Sequence, residues 1–269
     1  MRTSISTGLS LLLCICLMEA GCSSSPPAKP SSGSGSGGGG STEAPAAPAV
    51  PDDHYGTAVI QGRVSFEGKR PSLRPIPMTG DNHCASVKTP AFEEGKMISE
   101  DGGVPHVFVY VKSGINGKYT VPEEPVVLTQ KDCRYDPHIF GVRVGQTLKI
   151  VNGDPTAHNV HSMAKKNERF NFAQTAQHQV NEKVYKRAEI GAKIKCDVHG
   201  WMLAFCNALP HPFFAVSDAD GKFKIERLPP GEYEIEIWHE LYGTRTKTVT
   251  IKEGETLDLD FLYAQESKP

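Results

Sequence analysis

From about residue 57 onward, short runs of alternating apolar and polar residues follow one another, broken by Gly, Pro and Asp. Alternation of period two marks a strand with one buried face, and no long stretch repeats with the 3.6-residue period of an amphipathic helix. The pattern predicts strands over Val59 to Phe66, Val107 to Val111, Val126 to Leu128, Phe140 to Val151, Val184 to Ile194 and Phe213 to Val216. It is cleanest near the C-terminus, where Phe223/Ile225, Tyr233/Ile235/Ile237, Val249/Ile251 and Leu257/Leu259/Phe261 alternate with charged residues. Each of those strands has one wet face. Asp220-Gly221 and Pro229-Pro230-Gly231 supply turns, because Gly accepts positive φ and Pro presets the entry angle. The expected fold class is all-β, built from sandwiches.

The first 50 residues follow a different pattern. Arg2, an apolar run from Leu9 through Leu17 broken by Ser10, and small residues at Ala20-Gly21 read as a secretory signal over 1–22. The run is about half of the ~20 residues that span a bilayer. Gly21-Cys22 followed by three serines resembles the lipoprotein signal, although Glu19 stands where that family usually has an aliphatic residue. The resemblance implies acylation of Cys22, and plain secretion is the alternative. Of the 28 residues from Ser23 to Val50, 24 are Ser, Gly, Pro or Ala, so this stretch cannot bury a core and is expected to be a tether. As a random coil it reaches roughly 30 Å. The expected location is the periplasm or cell surface, with the membrane met only through the lipid on Cys22.

Charge narrows the function classes. The 269 residues carry a formal net charge of −2, and no Lys/Arg run exceeds two residues, which removes support for a nucleic-acid surface. No G-x-S-x-G, H-E-x-x-H or P-loop occurs in the folded part, so hydrolytic and phosphoryl-transfer chemistry lacks its usual signatures and the chain is not expected to be an enzyme.

The stretch Ser217-Asp-Ala-Asp-Gly-Lys-Phe-Lys-Ile-Glu-Arg-Leu-Pro-Pro-Gly-Glu-Tyr-Glu-Ile resembles the carboxypeptidase regulatory-like (transthyretin-like) β-sandwich. The segment from Ile60 to Pro71 looks like the first strand and turn of that family, displaced upstream, which makes the middle of the chain an insertion. The implied division is 51–106 as N-terminal strands completing the regulatory-like sandwich, 107–211 as a separate domain, and 212–269 as the regulatory-like domain. In that family the module is non-catalytic.

Within the middle lies Cys196-Asp-Val-His199-Gly-Trp-Met202, and 38 residues before Cys196 comes His158, in Asp154-Pro-Thr-Ala-His158-Asn-Val. A copper ion that moves between Cu(I) and Cu(II) takes a thiolate, two imidazoles and a weak axial donor. Cys196, His158, His199 and Met202 offer that set, and a C-x-x-H-x-x-M turn can wrap three of them around one ion. This segment resembles the cupredoxins, the type 1 (blue) copper proteins, with the short ligand loop of amicyanin. The resemblance implies a Greek-key β-sandwich holding one copper ion on His158, Cys196, His199 and Met202. It also implies that Asn159 hydrogen-bonds across to the Cys-bearing loop and that His199 lies nearest solvent, in an apolar rim with Trp201, Met163 or Leu203. His161, His138 and His211 are read as non-ligands, with His138 and Cys133 as an alternative second metal site. His239 and Glu240 read as a solvated strand end.

Leaving aside Cys14, Cys16 and Cys22, four cysteines remain, and they allow three pairings. Joining Cys196 to Cys206 would abolish the copper site. With Cys196 as the thiolate that the resemblance implies, the favoured scheme pairs Cys84 with Cys133 and leaves Cys206 as a buried odd cysteine. The functional expectation is an exported copper protein that carries single electrons between redox protein partners. Alternatives are a copper-delivery protein without redox turnover, or a cell-surface interaction module.

Overall fold

The computed structural model describes residues 53–264. The secretory signal, Cys22 and the whole tether lie outside the described residues. Among the described residues, no helix is long and apolar enough to cross a membrane.

Strand β1 (Ala58–Glu67) is followed by a single turn of helix, α1 (Asn82–Ser86), and then β2 (Phe108–Ser113). Next come β3 (Val126–Lys131), β4 (Arg134–Asp136), β5 (Ile139–Arg143), β6 (Thr147–Asn152), β7 (His158–Ser162) and β8 (Asn171–Gln174). Strands β9 (Val180–Val184), β10 (Glu189–Lys195) and β11 (Leu203–Leu209) complete the middle. The C-terminal set is β12 (Phe214–Val216), β13 (Lys222–Leu228), β14 (Gly231–His239), β15 (Gly243–Ile251), β16 (Thr256–Asp258) and β17 (Phe261–Ala264).

These strands form two sandwiches. In the first, a sheet ordered β5-β11-β10-β7-β8 and a sheet ordered β4-β3-β6-β9 enclose a core that includes Leu128, Leu148, Ile150, Val160 and Ile194. In the second, β13-β1-β16, with β17 also on β1, and β12-β2-β14-β15 enclose Ile60, Val109, Ile235, Ile237 and Phe261. Alternation decides which residues go inward: in β6, Leu148, Ile150 and Asn152 are buried and the residues between them are half-buried. The same rule in β7 turns His158, Val160 and Ser162 inward and His161 outward.

Two boundaries differ from the sequence expectation. Residues 107–211 were expected to form one domain, but β2 pairs antiparallel with β12 and β14 and lies in the second sandwich. Its four leading residues are all buried because one face meets the second core and the other, through Phe108 and Tyr110, meets the first sandwich. Residues 51–106 were expected to complete the regulatory-like sandwich. β1 does so, pairing with β13, and Val104 is buried in the same core, whereas Met78, Cys84 and Ala91 pack into the first core. The expected strands over 140–151 and 184–194 are each broken in two. Gly145, at φ 91°, turns the chain between β5 and β6.

A third apolar cluster joins the sandwiches, with Phe108, Tyr110, Ile139, Phe205 and Leu209 packed against Phe214 and Trp238. Gly141 makes room there, since a Cβ on it would lie 2.1 Å from the Phe214 ring.

Candidate metal centre

The site grows from two neighbouring strands. β7 and β10 pair antiparallel, with Ile194 opposite Ser162 and Lys195 opposite His161. Ile194 faces the core, so Cys196, two residues on, faces it too, while His158 enters from the start of β7 on the same side. The Cys196–Met202 loop is closed by its own backbone: Met202 N–H donates to the His199 carbonyl at 2.9 Å and Cys196 N–H to the Met202 carbonyl at 3.2 Å. Cys196, His199 and Met202 are all buried to within 2% of full burial.

His158 Nδ1 and His199 Nδ1 are 3.0 Å apart, and Cys196 Sγ is 3.7 Å from His199 Nδ1. One ligand atom from each of the three residues falls within a 4.8 Å span. Around one small ion, bonds of ~2.0–2.3 Å opened at roughly 100–120° separate donor atoms by roughly 3.1–3.8 Å. The 3.7 Å spacing lies within that range and the 3.0 Å spacing of the imidazole nitrogens just below it, so a thiolate and two imidazoles at these distances suit a copper ion. The buried Met202 is held to both neighbours by the backbone bonds of the loop.

The protonation pattern suits a ligand set. Burial pushes the Cys196 thiol up, but the hydrogen bond with His158 and the N–H groups of Asn159, His199 and Val198 outweigh it, holding the thiol below its usual range. Burial disfavours the His158 cation, yet Asp154 and Cys196 outweigh burial and push it up to about 8. His199 moves down, through burial and the neighbouring His158 charge. Burial also opposes the Asp154 charge, but hydrogen bonds from His158, Cys133 N–H and Asp132 N–H outweigh it and hold the carboxyl at about 2.

Asp154 and Tyr135 form a supporting layer that sequence reasoning gave no role. His158 Nε2 donates to Asp154 Oδ2 at 2.8 Å, which leaves Nδ1 free to face the site. Tyr135 Oη donates to the Asn159 carbonyl at 2.6 Å. Asn159 Oδ1 accepts from Asp197 N–H at 3.1 Å and its Nδ2 donates to Asn171 Oδ1 at 2.6 Å, tying β7 to the cysteine loop and β8. The spacing of Asp154 four residues before His158 was the available signal.

His199 does not lie at the surface as expected. It is 2% exposed, and its Nε2 faces Sγ of Cys84, 3.7 Å away. Cys84 and Cys133 form a disulfide with Cα atoms 5.6 Å apart, and this bridge lays α1 over the ring. Trp201 stacks at a tilt against His199, 5.1 Å between ring centroids, and donates its Nε1–H to the Cys133 carbonyl. Met163 is exposed and Leu203 half-buried.

The remaining candidates sit elsewhere. Cys196 and Cys206 are both free thiols, and Cys206 pairs across the sheet with Ala192. His161 turns outward to Asp197 at 3.0 Å. His211 stacks on Phe213. The reading of His239 and Glu240 as a solvated strand end is wrong: His239 is buried against Tyr242, and Glu240 contacts His138. The β14–β15 turn folds back onto the first sandwich, a long-range contact that local alternation cannot signal.

The fold and site together define a two-sheet β-sandwich with a buried Cys-His-His cluster, joined to a second small β-sandwich. The family model for the carboxypeptidase regulatory-like domain matches residues 210–263. Among solved structures, the chain is similar to a purple cupredoxin from Nitrosopumilus maritimus, at 19% identity, covering 31% of this chain and 98% of that one with a TM-score of 0.27. It is likewise similar to a point mutant of amicyanin in its oxidized form (19% identity, 37% and 97% coverage, TM-score 0.29). A copper-containing nitrite reductase from Thermus scotoductus SA-01 is matched at 15% identity and a TM-score of 0.31. That match covers 37% of this chain, which spans about a quarter of the reductase. No curated protein sequence matches the chain.

Proposed function

We propose that this chain is an exported type 1 copper protein that carries single electrons between redox protein partners, and that it performs no bond-making chemistry of its own. The observation that carries the reading is the convergence of His158 Nδ1, Cys196 Sγ and His199 Nδ1 within one 4.8 Å span in a buried pocket. His158, Cys196 and His199 would hold the ion, with Met202 as the weak fourth donor. A copper ion there supplies one-electron redox chemistry.

The chain's own residues keep such a site rigid. Asp154 orients His158, Asn159 pins the loop, and Trp201 with the Cys84–Cys133 bridge excludes water from His199. A rigid, dry donor set changes little between oxidation levels, which favours electron transfer over metal hand-off. In this reading Cys22 carries a lipid that anchors the protein to a bacterial membrane on the periplasmic or outer face. The regulatory-like sandwich serves as scaffold or docking surface, and nucleic acid is not a partner.

Voltammetry of the copper-loaded protein tests the reading. A reversible one-electron couple with copper retained through many cycles is the expected result. Loss of the ion on reduction, or transfer to a modest chelator within minutes, would favour copper delivery instead.

A further inference from the structure

The turn between β14 and β15 brings Glu240 and Leu241 to one side of a cavity of about 580 Å³. Pockets that enclose small organic ligands run from roughly 300 to 1,000 Å³, so the volume is of that kind. The other walls come from distant stretches: Phe92 from just before a 3-10 turn (Glu94–Lys96), Arg134 from β4, and Trp201 with Met202 from the ligand loop. The copper reading gives this cavity no task.

One part of the lining is apolar and aromatic. Phe92 and Trp201 are half-buried and Leu241 is 53% exposed, so the cavity presents ring and aliphatic surface that no protein atom covers. Ring faces and edges of this kind favour a flat aromatic partner.

The other part is polar, and its hydrogen bonding is incomplete. His138 Nδ1 lies 3.0 Å from the Leu203 carbonyl, and its Nε2 contacts Glu240 Oε1. Carbonyl and carboxylate only accept, so the ring carries a hydrogen on each nitrogen and forms an ion pair with Glu240. The second carboxylate oxygen of Glu240 has no hydrogen-bond partner among the described residues. The Glu94 carboxyl has none either, since Nδ1 of His138 and Nε2 of His106 stand 3.7 and 3.9 Å from it. Arg134 uses Nη2 on the Thr89 carbonyl and leaves its other N–H groups unclaimed among the described residues. Acceptors and donors shut partly away from water cost free energy until something pairs with them.

Charge on this lining cancels. Glu93 pairs with Lys96, Glu240 with His138, and the Arg134 charge faces that of Glu94. A neutral ligand therefore suits the cavity better than an ion.

We propose that the cavity binds a neutral hydroxylated aromatic of the catechol class, its ring against Trp201 and Phe92 and its hydroxyl groups donating to Glu240 and Glu94. Adjacent hydroxyls suit the two carboxyls because both flank one imidazole, and a hydroxyl oxygen can accept from Arg134 in return. Trp201 also stacks on His199, 5.1 Å between centroids, which puts this ligand one ring away from the candidate metal centre. Binding does not rest on the copper reading, because none of the polar groups involved is His158, Cys196, His199 or Met202.

The chain has two tryptophans, and of these Trp201 lines the cavity while Trp238 does not. Metal-free full-length protein labelled with ¹⁵N is titrated with catechol under argon while both indole N–H signals are followed, Trp201→Phe assigning them. Saturable movement of the Trp201 signal, with that of Trp238 still, is expected. The probe 1,2-dimethoxybenzene keeps the ring but has no O–H to donate, and should bind roughly tenfold or more weakly. Leu241→Asp, at an exposed position, sets a charge on the apolar wall and should weaken catechol binding severalfold, with unchanged thermal unfolding showing that the fold is kept. A Trp201 signal that stays still, equal binding of the two probes, or a Leu241→Asp titration identical to wild type overturns the proposal. Failure of the copper reading looks different: the thiolate-to-Cu(II) band is missing from the copper-treated protein while the Trp201 titration persists.

Discussion

Sγ of Cys84 lies 3.7 Å from Nε2 of His199, so the imidazole expected to meet solvent meets a disulfide instead. The bridge spans 49 residues and holds α1 over the ring. Cross-linking a loop of that length constrains the unfolded chain by about 4 kcal/mol in the chain-entropy model. Cys84→Ser is therefore expected to lower unfolding stability by about that amount and to speed copper exchange. Urea denaturation and the rate of copper loss to a chelator measure the two effects, and an exchange rate equal to wild type would show that the bridge does not guard the site.

Asp154 fixes which nitrogen of His158 faces the site. Asp154→Asn removes the charge while keeping the shape, and support of this kind is worth roughly 10–100-fold in metal affinity. Competitive chelator titration should find copper bound more weakly by that range. Affinity unchanged within error would leave Asp154 a structural residue only.

The joint between the sandwiches depends on Gly141. Gly141→Ala forces a methyl group into the Phe214 ring, 2.1 Å from its nearest atom, and overpacking of this kind costs about 1–3 kcal/mol. Differential scanning calorimetry should show a lowered transition, or two transitions if the sandwiches uncouple. Copper binding should survive, because Gly141 is in β5 and outside the ligand loop.

Acid sensitivity follows from His211. Burial, aided by the Arg143 charge, pushes its pKa down from about 6.5 to about 4, and its Nδ1 accepts the Phe213 N–H. A ring kept neutral in the fold but protonated when unfolded stabilises the protein above about pH 6.5, and that contribution is lost as pH falls toward about 4. Stability of the wild type should fall across that window, and His211→Asn, which keeps an acceptor but does not titrate, should flatten the fall. Identical pH profiles would refute the assignment.

Much of this was legible in the chain because alternation is a local signal. The inward turn of His158 follows from the period-two pattern of β7, and the closeness of Cys196, His199 and Met202 follows from their spacing in one short loop. What local pattern cannot encode is which sandwich a strand joins. Val107 to Val111 reads as a strand, but its partners β12 and β14 lie about a hundred residues away. The cover over His199 and the burial of His239 were hidden for the same reason: α1 and the β14–β15 turn are placed by contacts between distant segments. Polar residues such as Asp154 and Glu240 look solvated in a sequence, and only the fold reveals the imidazoles they serve.

The central claim is that Cys196 is a thiolate ligand to a redox-active copper ion, and one measurement addresses it directly. Optical and EPR spectra of the Cu(II)-loaded full-length protein are recorded beside those of Cys196→Ser. The account predicts an intense visible thiolate-to-Cu(II) band with a narrow copper hyperfine splitting, both absent from the variant. Spectra of ordinary nitrogen-oxygen copper that are the same in the two proteins would contradict it.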